Sequence, residues 1–181
     1  EIRLSLVGSE MCIRDRREII ERWNSTTGRE DAVLGDALVT DPNAEKLHEV
    51  VSDRADLTRR LDHFLTESES IIPEASKALA CGDLERFGRM ADESQRAAED
   101  LLGNQVPQTS ALARIARELG ATGATSFGAG FGGSVWALVP NAEAPEFAST
   151  WLGKYRDEYP EEAGEAVTVV TRPGPSARRL D

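Results

Sequence analysis

The sequence predicts an α+β fold in which helices come first and a small sheet comes late. Three observations carry this. Apolar residues recur at three- and four-residue steps from about residue 57 to residue 119, the period of an amphipathic helix. That period then gives way to short extended runs rich in β-formers at residues 122–127 and 134–139. A final run of the same kind, residues 166–171, follows one more helical stretch. Strands collected after helices, with one helix between them, make helices packed on one face of a sheet.

Taken in order, residues 17–27 read as a short amphipathic helix with Ile19, Ile20 and Trp23 on one side, and Gly28 is placed to end it. A weaker helical segment spans residues 32–38, and Asp41-Pro42-Asn43 is a turn before another helix. Leu57, Leu61, Phe64, Leu65, Ile71, Ile72, Ala75 and Leu79 then form the apolar stripe of one long helix, with Pro73 inside it to kink or divide it. Gly82 suits the left-handed close of that helix and Asp83 the cap of the next. The next helix points Leu84, Phe87, Met90, Ala91, Ala97, Ala98, Leu101 and Leu102 inward, and so short a break makes the two antiparallel. After Pro107 comes a third helix carrying Ala111, Leu112, Ile115, Ala116 and Leu119, ended by Gly120. Pro140-Asn141 ends the second strand, and Phe147, Trp151, Leu152 and Tyr155 are spaced for burial on the last helix. The tail from residue 173 reads as loose.

Composition narrows the function classes. Asp and Glu number 32 against 21 Lys and Arg, a formal charge of −11, so no basic face is available to neutralise nucleic-acid phosphates. No apolar run is long enough to span a bilayer. Two cysteines, Cys12 and Cys81, make no disulfide scaffold and point to a reducing, cytoplasmic setting. Residues 5–16 (SLVGSEMCIRDR) resemble translated sequencing-adapter read-through, so residues 1–16 are expected to be a non-native scar; the alternative is a strand over residues 2–7.

The motif with chemical potential is Gly128-Ala129-Gly130-Phe131-Gly132-Gly133-Ser134, set between two strands. Its glycines allow backbone conformations closed to other residues, and successive N–H groups in such a loop can form an anion-binding concavity. Gly128, Gly130 and Gly133 satisfy a dinucleotide fingerprint, but that fingerprint needs a helix directly after the glycines, where a strand is predicted. No Lys-Ser or Lys-Thr comes after them to make a Walker A loop. A glycine-rich hairpin with only a packing role is the plain alternative. His63 lacks companions at ligand spacing and reads as structural, so no metal site is expected; His48 reads as solvent-facing, Cys81 as packed and Trp136 as core. Asp83, Asp92 and Asp100 read as caps or solvated faces.

The glycine motif, with Gly123-Ala124 ahead of it, resembles the carboxyl-terminal motif of the GHMP small-molecule kinases, and its GFGG core resembles galactokinases. The similarity extends to Arg59-Arg60 through His63 and Thr66-Glu67, to Gly82-Asp83-Leu84 through Phe87, Gly88, Met90 and Ser94, and to Val106-Pro107-Gln108-Thr109 through Ala116. It covers residues 59–139 in matched order and fades towards residue 170. The resemblance implies a carboxyl-terminal lobe with a ferredoxin-like antiparallel sheet, from an enzyme that passes the ATP γ-phosphoryl group to a hydroxyl, in galactokinases the anomeric hydroxyl of the sugar. On this reading residues 17–56 are a helical connection from an amino-terminal lobe, residues 57–172 the domain and residues 173–181 the tail.

The implied ligands are ATP, Mg²⁺ held mainly by the amino-terminal lobe, and a monosaccharide; the implied partner is that lobe, with no nucleic acid or membrane. The site positions implied are Gly128, Gly130, Phe131, Gly132, Gly133 and Ser134 at the nucleotide and substrate cleft. The family's general base and phosphate loop have no counterpart here, so the chain alone is expected to be inactive. Two departures bear on the substrate. Leu102 stands where the family has a sugar-side Tyr, and Thr125-Ser126-Phe127 replaces a stretch that carries a cation. Asn104 and Gln105 could supply substitute hydrogen bonds to a hydroxylated ligand, or Asn104 could cap the loop. Two other functions remain open: a non-catalytic sugar and ATP sensor, and a kinase of the same superfamily for another small alcohol.

Overall fold

A computed structural model describes the backbone of residues 2–128 and 130–174. Its helices are α1 (Ile2–Thr27), α2 (Leu34–Thr40), α3 (Glu45–Val51), α4 (Ala55–Leu65), α5 (Ile72–Cys81), α6 (Leu84–Ala97), α7 (Pro107–Glu118) and α8 (Ala144–Glu158). Two π-helical segments, Thr66–Ile71 and Ala98–Leu102, come directly after α4 and α6. The strands β1 (Gly123–Phe127) and β2 (Ser134–Leu138) pair antiparallel, with Gly123 opposite Leu138 and Phe127 opposite Ser134. The order of elements is the predicted α+β order.

Helices α1 to α4 enclose one core of Ile19, Trp23, Leu34, Leu47, Val51, Leu57 and Leu61, all buried. Leu57 and Leu61 therefore share a core with residues 17–56. Asp41 helps to set α3 in place, its carboxylate accepting the Leu47 N–H at 2.9 Å. Gly28 closes α1 with a positive φ and an N–H bond to the Asn24 carbonyl, as the sequence suggested. The helix begins far earlier than residue 17, however, and residues 2–7 lie in it rather than in a strand. Near its middle Asp15 is buried and pairs with Arg60 of α4 at 3.2 Å.

The second core lies between α7, α8 and the hairpin. Ala113, Ala116, Ala121 and Ala124 are buried there against Val135, Phe147 and Trp151. Ile115 and Tyr155 extend it, and Trp151 donates its indole N–H to the Leu112 carbonyl at 2.9 Å. Helices α5 and α6 run antiparallel, since Glu74 meets Arg86 at one end and Glu67 meets Ser94 at the other. Gly82 is left-handed and Asp83 caps α6 by accepting the Arg86 N–H at 2.9 Å.

The long apolar stripe changes phase at the first π segment. Pro73 has no N–H to donate and its ring crowds the preceding turn, and widening that turn just before it relieves both faults. The extra residue rotates the rest of the helix, so Ile71 and Ala78 are buried while Ile72 and Leu79 stand 56% and 52% exposed. Leu84, expected inward, is also exposed, because the α6 face that meets β1 is Gly88, Ala91 and Gln95. Trp136 is half-buried and stacks on Phe87 at 6.1 Å between ring centroids.

Residues 166–171 form no strand, and the described sheet has two strands where the resemblance implied a ferredoxin-like one. The segment is not paired with the hairpin. Ala166 packs on the core that holds Ile115 and Tyr155, its carbonyl accepts from Arg156, and Val167 and Val169 are 82% and 81% exposed. A run of β-formers becomes a strand only beside another backbone edge. Of the predicted loose tail, residues 175–181 lie outside the described residues.

Candidate functional site

The six residues between β1 and β2 make the loop of the glycine motif. Gly128, Gly130, Gly132 and Gly133 have φ of +96°, +83°, +106° and +106°, and Phe131 joins them at +59°. Ala129 lies outside the described residues. A non-glycine residue with positive φ persists only where its surroundings hold it. Here the holder is Asn104, whose backbone carbonyl accepts the Phe131 N–H. The two segments approach so closely that a β-carbon on Gly130 would lie 2.5 Å from Asn104 Nδ2 and 2.6 Å from its Cγ. Only glycine fits there.

Asn104 is itself buried and braced from behind. Its Oδ1 accepts from Gln105 Nε2 at 2.9 Å, and Gln105 Oε1 accepts from the Thr109 hydroxyl at 2.9 Å. Thr109 in turn accepts the Val106 N–H at 3.2 Å across the first turn of α7. The structure thus places Asn104 against the glycine loop, with Gln105 bonded to it from behind. Ser134 is exposed at the start of β2, opposite Phe127.

The strand leading into the loop is held by a residue that sequence reasoning passed over. Gln95 on α6 is 6% exposed. Its Oε1 accepts from the Ser126 N–H at 2.8 Å and from the Thr125 hydroxyl at 3.0 Å. Its Nε2 donates to Glu99 in the second π segment at 2.8 Å. The available signal was a long polar residue on an otherwise small-residue helix face, four and seven positions beyond Ala91 and Gly88. That face touches β1 directly, for a β-carbon on Gly88 would run into the Thr122 carbonyl.

Residues 59–67 sit behind this arrangement. Glu67 accepts from the Ser94 hydroxyl at 2.6 Å, next to Gln95 in the chain, and lies 3.9 Å from His63 Nε2. His63 is buried on α4, and burial, then the Arg60 and Arg16 charges, push its pKa down to about 4, so it is neutral near pH 7. His63 Nδ1 and Arg60 Nη1 have no protein partner among the described residues.

Several other side chains fall where the sequence did not put them. His48 is half-buried rather than solvent-facing, because it bonds the Ala44 carbonyl and Asp62, each at 2.7 Å. Burial opposes its protonation, but the bonds to Asp62 and the Ala44 carbonyl outweigh that and its pKa is raised. Cys81, expected to pack, is exposed at the end of α5. Asp92 pairs with Arg117 at 2.9 Å. Among the described residues no three His, Cys, Asp or Glu side chains converge as metal ligands, and no helix is long and apolar enough to cross a membrane.

Comparison with known proteins agrees with the fold. Residues 74–157, which include the whole glycine motif, match the family model described as GHMP kinases C terminal. Over 83% of its length the chain superposes on a crystal structure of Lactococcus lactis galactokinase complexed with galactose, at a TM-score of 0.68 and 25% identity. The chain spans 38% of that galactokinase. Residues 74–157 thus match the carboxyl-terminal domain of the GHMP kinases, and the chain has the fold of a galactokinase-like carboxyl-terminal lobe.

Proposed function

We propose that the protein to which this chain belongs is an ATP-dependent sugar kinase that phosphorylates the anomeric hydroxyl of galactose or a closely related sugar. The observation that carries this reading is the glycine loop, a run of positive-φ backbone anchored by Asn104 inside the segment matched to the family. The likeness to a galactokinase that binds galactose supports a sugar as the acceptor. In the reaction the sugar oxygen bonds to the γ-phosphorus, the bond to the bridging oxygen breaks, ADP departs, and the hydroxyl proton passes to a base. Such chemistry rests on positioning and on charge neutralisation.

The described residues suit the positioning part. Loop N–H groups and the Ser134 hydroxyl are donors suited to phosphate or sugar oxygens. We assign the general base to the rest of the protein; here Asp83 caps α6 and Asp92 is paired with Arg117. The ligands of Mg²⁺ are likewise assigned to the rest of the protein. Leu102 in place of the family's Tyr leaves the sugar's identity to experiment.

The test is a coupled ADP-release assay of the full-length protein with ATP and a panel of monosaccharides and other small alcohols. Turnover with galactose or an epimer is the expected result. Sugar and ATP binding without turnover would replace the kinase reading with that of a sensor, and turnover confined to a non-sugar alcohol would replace the substrate. The 181-residue chain alone is expected to turn over none of them.

A further inference from the structure

The α6 helix and the turn that follows its π segment hold the glycine loop at two points. Gln95 grips β1 at Thr125 and Ser126, two residues before Gly128, and Asn104 grips Gly130 and Phe131. The second π segment, Ala98–Leu102, lies between the two grips. Single π turns inside helices are uncommon and frequent at functional sites. Gln95 and Glu99 stand four residues apart, the spacing at which helical side chains meet, and Glu99 accepts from the Gln95 carboxamide.

That contact decides which way the carboxamide faces. The Ser126 N–H can only donate and the Glu99 carboxylate can only accept. Gln95 therefore presents Oε1 to β1 and Nε2 to Glu99, and the reverse orientation would break both bonds. The grip is close because Gly88 and Ala91, on the same α6 face, let helix and strand approach to backbone contact.

We propose that Gln95, oriented by Glu99, is a positioning residue for the phosphoryl-transfer site: it sets where β1 delivers the glycine loop. This rests on the kinase reading above. Displacing a catalytic loop by about 1 Å can cost up to about a hundredfold in rate. A residue that merely contributed stability would change the amount of folded protein but not the kinetics of each folded molecule.

The experiment uses the full-length protein and three variants, Gln95→Ala, Gln95→Glu and the exchange Gln95→Glu/Glu99→Gln. The exchange keeps all three hydrogen bonds: the carboxylate introduced on α6 accepts from Thr125 and Ser126, and the carboxamide introduced in the π segment donates to it. Gln95→Ala and Gln95→Glu should lower kcat per folded molecule about tenfold or more. The exchange should restore kcat to within about threefold of the unaltered protein, a rescue that comes from hydrogen bonding alone. Hydrogen exchange at the Ser126 amide and over residues 127–134 should speed up in the two single variants and return in the exchange.

Unchanged kcat in Gln95→Ala, or an exchange no better than Gln95→Glu, would overturn the proposal. The hydrogen-exchange readout needs no turnover. An inactive unaltered protein whose Ser126 amide still loses protection in Gln95→Ala would therefore sink the kinase reading while leaving the grip itself standing. Unchanged protection would sink the grip.

Discussion

Replacing Gly130 and Gly132 one at a time by Ala separates backbone strain from steric fit. Both have φ well inside the positive range, +83° and +106°, so either alanine costs about 1–3 kcal/mol of conformational strain. Their surroundings differ. A β-carbon at Gly132 meets nothing within 4 Å, whereas one at Gly130 meets the Asn104 carbonyl, Nδ2 and Cγ. Asn104 cannot retreat freely, because it is buried and braced by Gln105 and Thr109. Overpacking of this kind costs about a further 1–3 kcal/mol. In urea denaturation of this chain Gly130→Ala should therefore be the less stable of the two by about 1–3 kcal/mol. Adding Asn104→Ala to Gly130→Ala should recover only part of the loss, since the Asn104 carbonyl stays in place. Equal destabilisation by the two alanines would refute the argument that Asn104 shapes the loop by contact.

Other outcomes are expected from the same packing. Gly88→Ala puts a methyl into the Thr122 carbonyl and should cost about 2–4 kcal/mol by prising α6 from β1, read as a lowered Tm. The phase change at Pro73 predicts that Leu61→Ala costs about 2–5 kcal/mol while Ile72→Ala stays within about 0.5 kcal/mol; similar losses at both would restore the single unbroken stripe. The pH dependence has a definite sign at His63, whose pKa is about 4 folded against an ordinary 6.5. Above pH 6.5 it is neutral in both states and its contribution is fully present. Between 6.5 and 4 the unfolded chain takes the proton first, and about 3 kcal/mol is lost. His48, raised by Asp62, works the other way and loses its contribution as pH rises through its folded pKa. Urea midpoints at about pH 7 and about pH 4.5 should accordingly lie closer together in His63→Gln than in the unaltered chain.

Much of this was legible in the residues because it depends on local chemistry. Gly28, Gly82 and Gly120 end helices where they stand, and Asp83 caps where it stands, since backbone φ and a nearby carboxylate need no distant partner. The glycine motif was legible for the same reason, as was the order of helices and strands. What escaped involved partners far away in the chain. Gln95 looked like a polar residue on a helix, and only the approach of β1 makes its carboxamide a grip on Ser126. Ile72 and Leu79 looked buried until a π turn rotated them, and Cys81 looked packed but stands exposed at the end of α5.

Residues 166–171 show the division most plainly. Their β-propensity is a property of the side chains, and the sequence states it without ambiguity. Whether they become a strand depends on a second backbone edge lying within hydrogen-bonding distance, which is a property of the assembled molecule. The sequence by itself determined the class, the lobe and the loop that could face a phosphate. Tertiary structure alone decided how that loop is held, because Gly130 needs Asn104 and β1 needs Gln95 only once the chain has brought α6 alongside.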